Sequence, residues 1–145
     1  MTREEYDRYV AAFNARDYDA VFDFYADDPR MAFFGIEIAS RDQLKDFYGF
    51  MHRYVTETVT VERFAASDEL AAVEAIVRIE ATDDLTREIL DARGMEQFFP
   101  IAKGEVQEMR QYIHYHLRNG KIAGVGCDAV GLDWTVNLGR ARPGR

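Results

Sequence analysis

The chain reads as α+β, with three N-terminal helices and a curved sheet wrapped around them. Three observations predict that class. Over residues 3–25 and 40–55 apolar side chains recur at three- and four-residue steps, the period of an amphipathic helix. From Thr56 the pattern changes to alternation, and Val and Thr become frequent. Asn119-Gly120 then separates two long runs, the strongest short-range hairpin signal. No repeat or linker interrupts the 145 residues, so a single domain over 1–139 is expected, followed by a basic, turn-rich, disordered tail at 140–145.

Residues 3–15 form the first predicted helix, with Tyr6, Tyr9, Val10 and Phe13 on one stripe. Asn14-Ala-Arg-Asp17 interrupts it. Asp17 can cap a second helix bearing Tyr18, Val21, Phe22 and Tyr25, which Asp27-Asp28-Pro29 stops. A short strand over 31–34 turns at Gly35 into 36–39. Ser40 is the next N-cap, with Gln43 in the capping-box position, and its helix presents Leu44, Phe47, Tyr48, Met51 and Val55 inward. Strands follow at 56–64 and 70–81. In the second, Ala71, Val73, Ala75, Val77 and Ile79 share one face, while Glu74, Arg78 and Glu80 share the other. The hairpin joins 105–118 to 121–130. Residues 83–104 form a long apolar connection with a short helix and then Met95, Phe98, Phe99 and Pro100, suited to a lid or a partner contact.

A net charge of −8 argues against nucleic acid or an anionic membrane as partner. The lone Cys127 makes no internal disulfide, and neither a signal-peptide core nor an apolar run of membrane-spanning length is evident. A cytoplasmic location is therefore expected. No Gly-rich phosphate loop follows a strand, so no nucleotide cofactor is indicated. His114 and His116 have strand spacing for a metal but lack a clear third ligand, so no metal site is expected. Buried phenols need hydrogen-bond partners. Tyr9, Tyr25 and Tyr48, inward on successive segments, would converge as a proton-donating cluster on the floor of an apolar cavity.

Arg8-Tyr-Val-Ala-Ala-Phe-Asn-Ala-Arg-Asp-Tyr-Asp-Ala-Val, Phe24-Tyr-Ala-Asp-Asp and Asp46-Phe-Tyr resemble bacterial ketosteroid isomerases. That family has the nuclear-transport-factor-2-like fold, shared with SnoaL-like polyketide cyclases, scytalone dehydratase and limonene epoxide hydrolase. The resemblance covers residues 8–50; beyond them the strand pattern and the Asn-Gly-Lys-Ile hairpin agree. It implies a cone-shaped sheet around the helices and a homodimer through the outer sheet face. It also implies that Tyr9 stabilises an oxyanion, with Tyr48 and Tyr25 hydrogen-bonded to it. A phenol aimed at a carbonyl oxygen stabilises the enolate formed when a neighbouring carbon loses its proton. Phenols donating to one another should lower the pKa of the first.

The isomerases' proton-shuttling aspartate is matched by Phe33, and Met31, Ala32 and Phe34 cannot carry a proton either. The base must come from elsewhere. Simple pairing about Asn119-Gly120 sets Arg118 opposite Lys121, His116 opposite Ala123, His114 opposite Val125 and Tyr112 opposite Cys127. By the resemblance, Val125, Cys127 and Ala129 face the pocket. Arg110, Tyr112, His114 and His116 then look inward too, and His114 is the expected base. Asp128 falls on the opposite face with Met109, Ile113, Tyr115 and Leu117, an apolar strip suited to a subunit interface. A bulge near Gly124 or Gly126 would bring Asp128 inward instead. Phe33, Val73, Val77, Val125 and Cys127 are expected along the apolar wall, beside Tyr112. Arg110 is read as a rim ion pair or a ligand for a substrate carboxylate, and His52 as a wet helix-end residue.

Two functions follow. One is a cofactor-free isomerase, cyclase or dehydratase acting on a small, mostly apolar carbonyl compound, with little steroid isomerase activity. The other is a non-catalytic module of the same fold that binds an apolar ligand or a partner.

Overall fold

The computed structural model describes residues 1–33 and 36–131. Helices α1 (Arg3–Asn14), α2 (Tyr18–Phe22) and α3 (Arg41–Met51) are followed by a short α4 (Arg87–Ala92). Strands β1 (Tyr25–Phe33), β2 (Ile36–Ile38), β3 (Val55–Ala66), β4 (Leu70–Ala81), β5 (Val106–Arg118) and β6 (Lys121–Gly131) form one curved sheet in the order β2-β1-β6-β5-β4-β3. Every neighbouring pair is antiparallel except β1 with β6.

The helix starts are set by side-chain caps. Thr2 Oγ1 accepts the Glu5 N–H at 3.1 Å, and Glu5 accepts the Thr2 N–H at 2.6 Å, a reciprocal capping box. Asp17 accepts the Ala20 N–H, and Ser40 the Gln43 N–H. Between α1 and α2 the chain turns at Arg16, which sits at φ +57°. Its guanidinium donates to the carbonyls of His52 and Val55 and to Thr56 Oγ1, fixing the first turn to the end of α3 and the start of β3. Tyr6, Tyr9, Val10 and Phe13 are buried from α1, and Leu44, Phe47, Phe50 and Met51 from α3. They pack against Ala71, Val73 and Ala75 of β4, whose alternation is the one the sequence shows.

Two elements differ from expectation. Helix α2 ends at Phe22, so Tyr25 opens β1 rather than extending a helical stripe. The competing interaction is a sheet pairing: Ile122 donates its N–H to the Phe24 carbonyl at 2.8 Å, and Tyr25 pairs with Ile122. Asp27-Asp28-Pro29 lies inside β1, where the register against β6 shifts between Tyr25 and Arg30. Such an irregularity accommodates a residue without an N–H. The expected turn at Phe34-Gly35, and the end of the chain with its tail at 140–145, lie outside the described residues.

The β5–β6 hairpin turns at Asn119 (φ +52°) and Gly120 (φ +73°), the paired positive values of a tight type I′ connection. Leu117 pairs with Ile122, but the next rung joins His116 to Gly124, leaving Ala123 as an extra residue. Beyond this bulge Tyr115 faces Val125, Ile113 faces Cys127 and Gln111 faces Ala129. At Gly124 the two backbones come so close that an added Cβ would sit 2.9 Å from the Arg30 carbonyl oxygen. Gly124→Ala is expected to lower stability by about 1–3 kcal/mol. The check is a reduced urea midpoint at unchanged m-value.

Candidate active site

A cavity of about 470 Å³ lies between the inner sheet face and the helices, a volume suited to a small-molecule ligand. Val10 and Phe13 line it from α1, Phe47 and Met51 from α3, and Val59 from β3. Phe98, Phe99 and Ile101 come from the connection between β4 and β5. That connection is a packed wall. Leu85, Leu90 and Met95 are buried, Leu85 bridges to Ile101, and the Arg87 guanidinium donates to the carbonyls of Glu96 and Phe98.

Five tyrosines line the cavity: Tyr6, Tyr9, Tyr25, Tyr48 and Tyr115. Tyr9 and Tyr25 share a hydrogen bond of 2.9 Å between their hydroxyls, and Tyr6 and Tyr115 one of 3.0 Å. The Tyr9 and Tyr115 rings meet edge to face at 5.9 Å, joining the pairs into one cluster. Tyr48 packs edge-on against Phe13 and belongs to neither pair. The expected Tyr9–Tyr25 contact is therefore present, and Tyr115 and Tyr6 are additional members. Mutual donation does not lower the Tyr9 pKa as expected. Burial dominates and pushes Tyr9 well above the ordinary phenol value, with Tyr25 and Tyr115 adding to the rise. Burial likewise raises Tyr25, Tyr48 and Tyr115, and takes Tyr6 up to about 12 against a lowering hydrogen bond from Tyr115.

The bulge reverses the expected face of β5. His114 and His116 are exposed on the outer face, and Tyr112 is 43% exposed. Arg110 pairs there with Glu62 at 3.0 Å and is not a cavity ligand. His114 therefore does not reach Tyr9's compartment and is corrected as the base. The strip expected at a subunit interface, with Met109, Ile113, Tyr115 and Leu117, is buried inside. Val125 and Cys127 line the cavity as expected, with the Cys127 thiol donating to Gln111 Oε1 at 3.4 Å. Burial pushes that thiol up to about 11. Val73 and Val77 are buried on the inner face of β4 without being cavity-lining residues. Phe33 ends β1 opposite Ile36, its side chain lying outside the described portion; Ala32 lines the cavity beside it. Asp128 is at the cavity boundary, exposed, with its carboxylate accepting the Ala129 N–H at 2.9 Å.

The polar wall comes from residues that the sequence reading passed over: Glu57, Gln107 and Gln111. Gln107 is 6% exposed. Glu57 stands on the inner face of β3 in register with Val55, Val59 and Val61, and a carboxylate inside that valine alternation was the available signal. Its Oε2 lies 3.4 Å from His52 Nε2, and His52 Nδ1 lies 2.7 Å from the Tyr18 hydroxyl. His52 is thus not a wet helix end. It is 7% exposed, stacked on Tyr18 and edge-on to Phe13.

A phenol whose folded pKa exceeds its unfolded value stays protonated in the native state while the unfolded chain ionises. Stability from such a group is full below the ordinary value of 10.0 and declines as pH rises beyond it, for Tyr6 up to about 12. Urea unfolding between pH 8 and 11.5 should show stability falling above about pH 10. The fall should be shallower in Tyr6→Phe.

Known proteins share this architecture. A candidate polyketide cyclase from Silicibacter sp. superposes with a TM-score of 0.71 at 22% identity, over 88% of this chain and 87% of that one. A SnoaL-like polyketide cyclase from Agrobacterium tumefaciens gives 0.67 at 14% identity, over 90% and 93%. A protein with a ketosteroid-isomerase-like fold from Catenulispora acidiphila gives 0.64 at 14%, over 88% and 86%. A stretch of 22 residues is 82% identical to uroporphyrinogen decarboxylase of Bordetella pertussis. It takes in 15% of this chain, which spans only about 6% of that enzyme's length, too little to show a shared fold or activity. Among the described residues no helix is long and apolar enough to cross a membrane. The SnoaL-like domain model matches residues 6–125, most of the chain, and the protein belongs to that family.

Proposed function

We propose that the protein is a cofactor-free proton-transfer enzyme, of the isomerase, cyclase or dehydratase kind, acting on a small and mostly apolar carbonyl compound. The observation that carries this reading is one apolar cavity containing both a hydrogen-bonded phenol cluster and carboxylates, Glu57 and Asp128. Each phenol pair has two hydroxyl protons and uses one between its members, so one remains to meet a ligand oxygen. Because burial keeps the phenols protonated, they act as neutral donors to a developing enolate oxygen. A carboxylate in the same wall can take up the proton that the adjacent carbon releases. The family and the similar cyclase structures agree with this class of chemistry.

A second reading is a binding module. The reciprocal pairing of Tyr9 with Tyr25 and Tyr6 with Tyr115 favours it, because a pocket that only binds also needs its phenols satisfied. Deuterium exchange at carbons next to a carbonyl separates the two. Cyclic ketones and 1,3-dicarbonyl compounds would be incubated with the protein in D₂O and followed by NMR. The enzyme reading expects protein-dependent exchange that falls about 10²–10³-fold in Tyr9→Phe. It expects no change in His114→Ala and negligible conversion of a Δ5-3-ketosteroid. Ketones that bind without exchanging would establish the module instead.

A further inference from the structure

We infer that Glu57 is the proton acceptor of this cavity and that His52 and Tyr18 are residues that position its carboxylate, an assignment that rests on the carbonyl proton-transfer reading. Two carboxylates border the cavity, and their surroundings differ. Asp128 is exposed, its strand position pairs with the outward Tyr112, and its oxygen is engaged by the neighbouring Ala129 N–H. Glu57 projects from the inner face of β3, its side chain only 20% exposed, and is met by a buried imidazole.

The chain Tyr18–His52–Glu57 has a defined polarity. An ionised carboxylate only accepts, so His52 Nε2 must carry a hydrogen toward Glu57. In the neutral imidazole, Nδ1 then accepts the Tyr18 O–H at 2.7 Å. Stacking on Tyr18, the edge of Phe13, the Tyr48 ring and the bond from Arg16 to the His52 carbonyl leave the imidazole little freedom. Such immobilisation confines one carboxylate oxygen by a bond to His52 while the other stays available to a ligand. Geometry of this kind tightens when a substrate is bound, so a 3.4 Å contact is compatible with the role.

The step balances without a further reagent. The C–H bond next to the carbonyl breaks, and its proton forms an O–H bond with a Glu57 oxygen. The C–H electron pair becomes a C=C π bond, and the carbonyl π pair moves to oxygen, where a phenol O–H donates. Return of the proton to the same or a conjugated carbon restores the carboxylate.

The ketone-exchange assay on the full chain tests this. Glu57→Gln should lower kcat about 10²–10⁴-fold with KM little changed, and Asp128→Asn should lower it far less. Glu57→Ala should regain exchange when formate is added. His52→Gln should lower kcat and not KM, a split that loss of stability alone does not produce. In ¹⁵N spectra of wild type, His52 should show the Nε2–H tautomer, and Tyr18→Phe should shift its Nδ1 signal. If Glu57→Gln does not fold, Glu57→Asp serves, since it retracts the charge by one methylene. A full wild-type rate in a folded Glu57 variant, or a larger loss in Asp128→Asn than in Glu57→Gln, overturns the assignment and leaves the carbonyl reading standing. Absence of exchange by wild type with every ketone overturns that reading and this assignment together.

Discussion

Between Ile122 and Gly124 the last strand carries one residue more than its partner, and the composition of the cavity depends on that residue. Side chains alternate across a sheet, so one inserted position exchanges the two faces of everything paired beyond it. With Ala123 bulged, Gln111, Ile113 and Tyr115 of β5 stand on the same face as Val125, Cys127 and Ala129 of β6. The bulge lies where β6 is also the parallel neighbour of β1, itself irregular between Tyr25 and Arg30. Gly124 permits that close approach. Tyr115 is thereby brought to Tyr6, 109 residues away in sequence, while Tyr25 meets Tyr9 from the start of β1.

The phenol cluster is a solution to a desolvation problem as much as a chemical device. Burying a hydroxyl without a partner costs a few kcal/mol, and pairing two hydroxyls removes most of that penalty while adding aromatic contact. The same burial that favours the neutral phenol makes its ionisation costly, which is why Tyr9, Tyr25, Tyr48 and Tyr115 lie far above the ordinary value. Carboxylates border the same cavity, and semi-buried Glu57 has the His52 ring nitrogen 3.4 Å away as its polar neighbour.

Much of this was legible in the sequence. The helix stripes, the alternation over 70–81, the Asn119-Gly120 turn and the fold class all follow from local periodicity, and the structure agrees with them. The resemblance carried by residues 8–50 located Tyr9, Tyr25 and Tyr48 around one cavity. What failed was non-local. Gly124, next to Ala123, admits a bulge, but simple pairing about Asn119-Gly120 omits it and so places His114, Arg110 and Tyr112 on the wrong face. Tyr25 left its helical stripe because a pairing with Ile122, almost a hundred positions away, outweighed local helix signals. Glu57 was locally visible, since a carboxylate at a valine position of an amphipathic strand needs a reason. Its reason, His52, follows the end of α3, and only the turn into β3 brings the two together.

The position of the carboxylate has a consequence for how such a cavity works. In the isomerases this chain resembles, the expected base would stand on β1, where Phe33 is found. Here the semi-buried carboxylate stands on β3, across the sheet order from β1 and next to the helix end that holds His52. On the proposed reading, a ligand whose carbonyl oxygen meets the phenols would present its acidic carbon toward the β3 side, beside Tyr48 and Cys127, whose pKa values Glu57 helps to raise. Such a change of side redirects which carbon of a bound ketone is reached while leaving the phenols in place. One scaffold can then serve different regiochemistries by moving a single charge from one strand to another and supplying it with a buried donor.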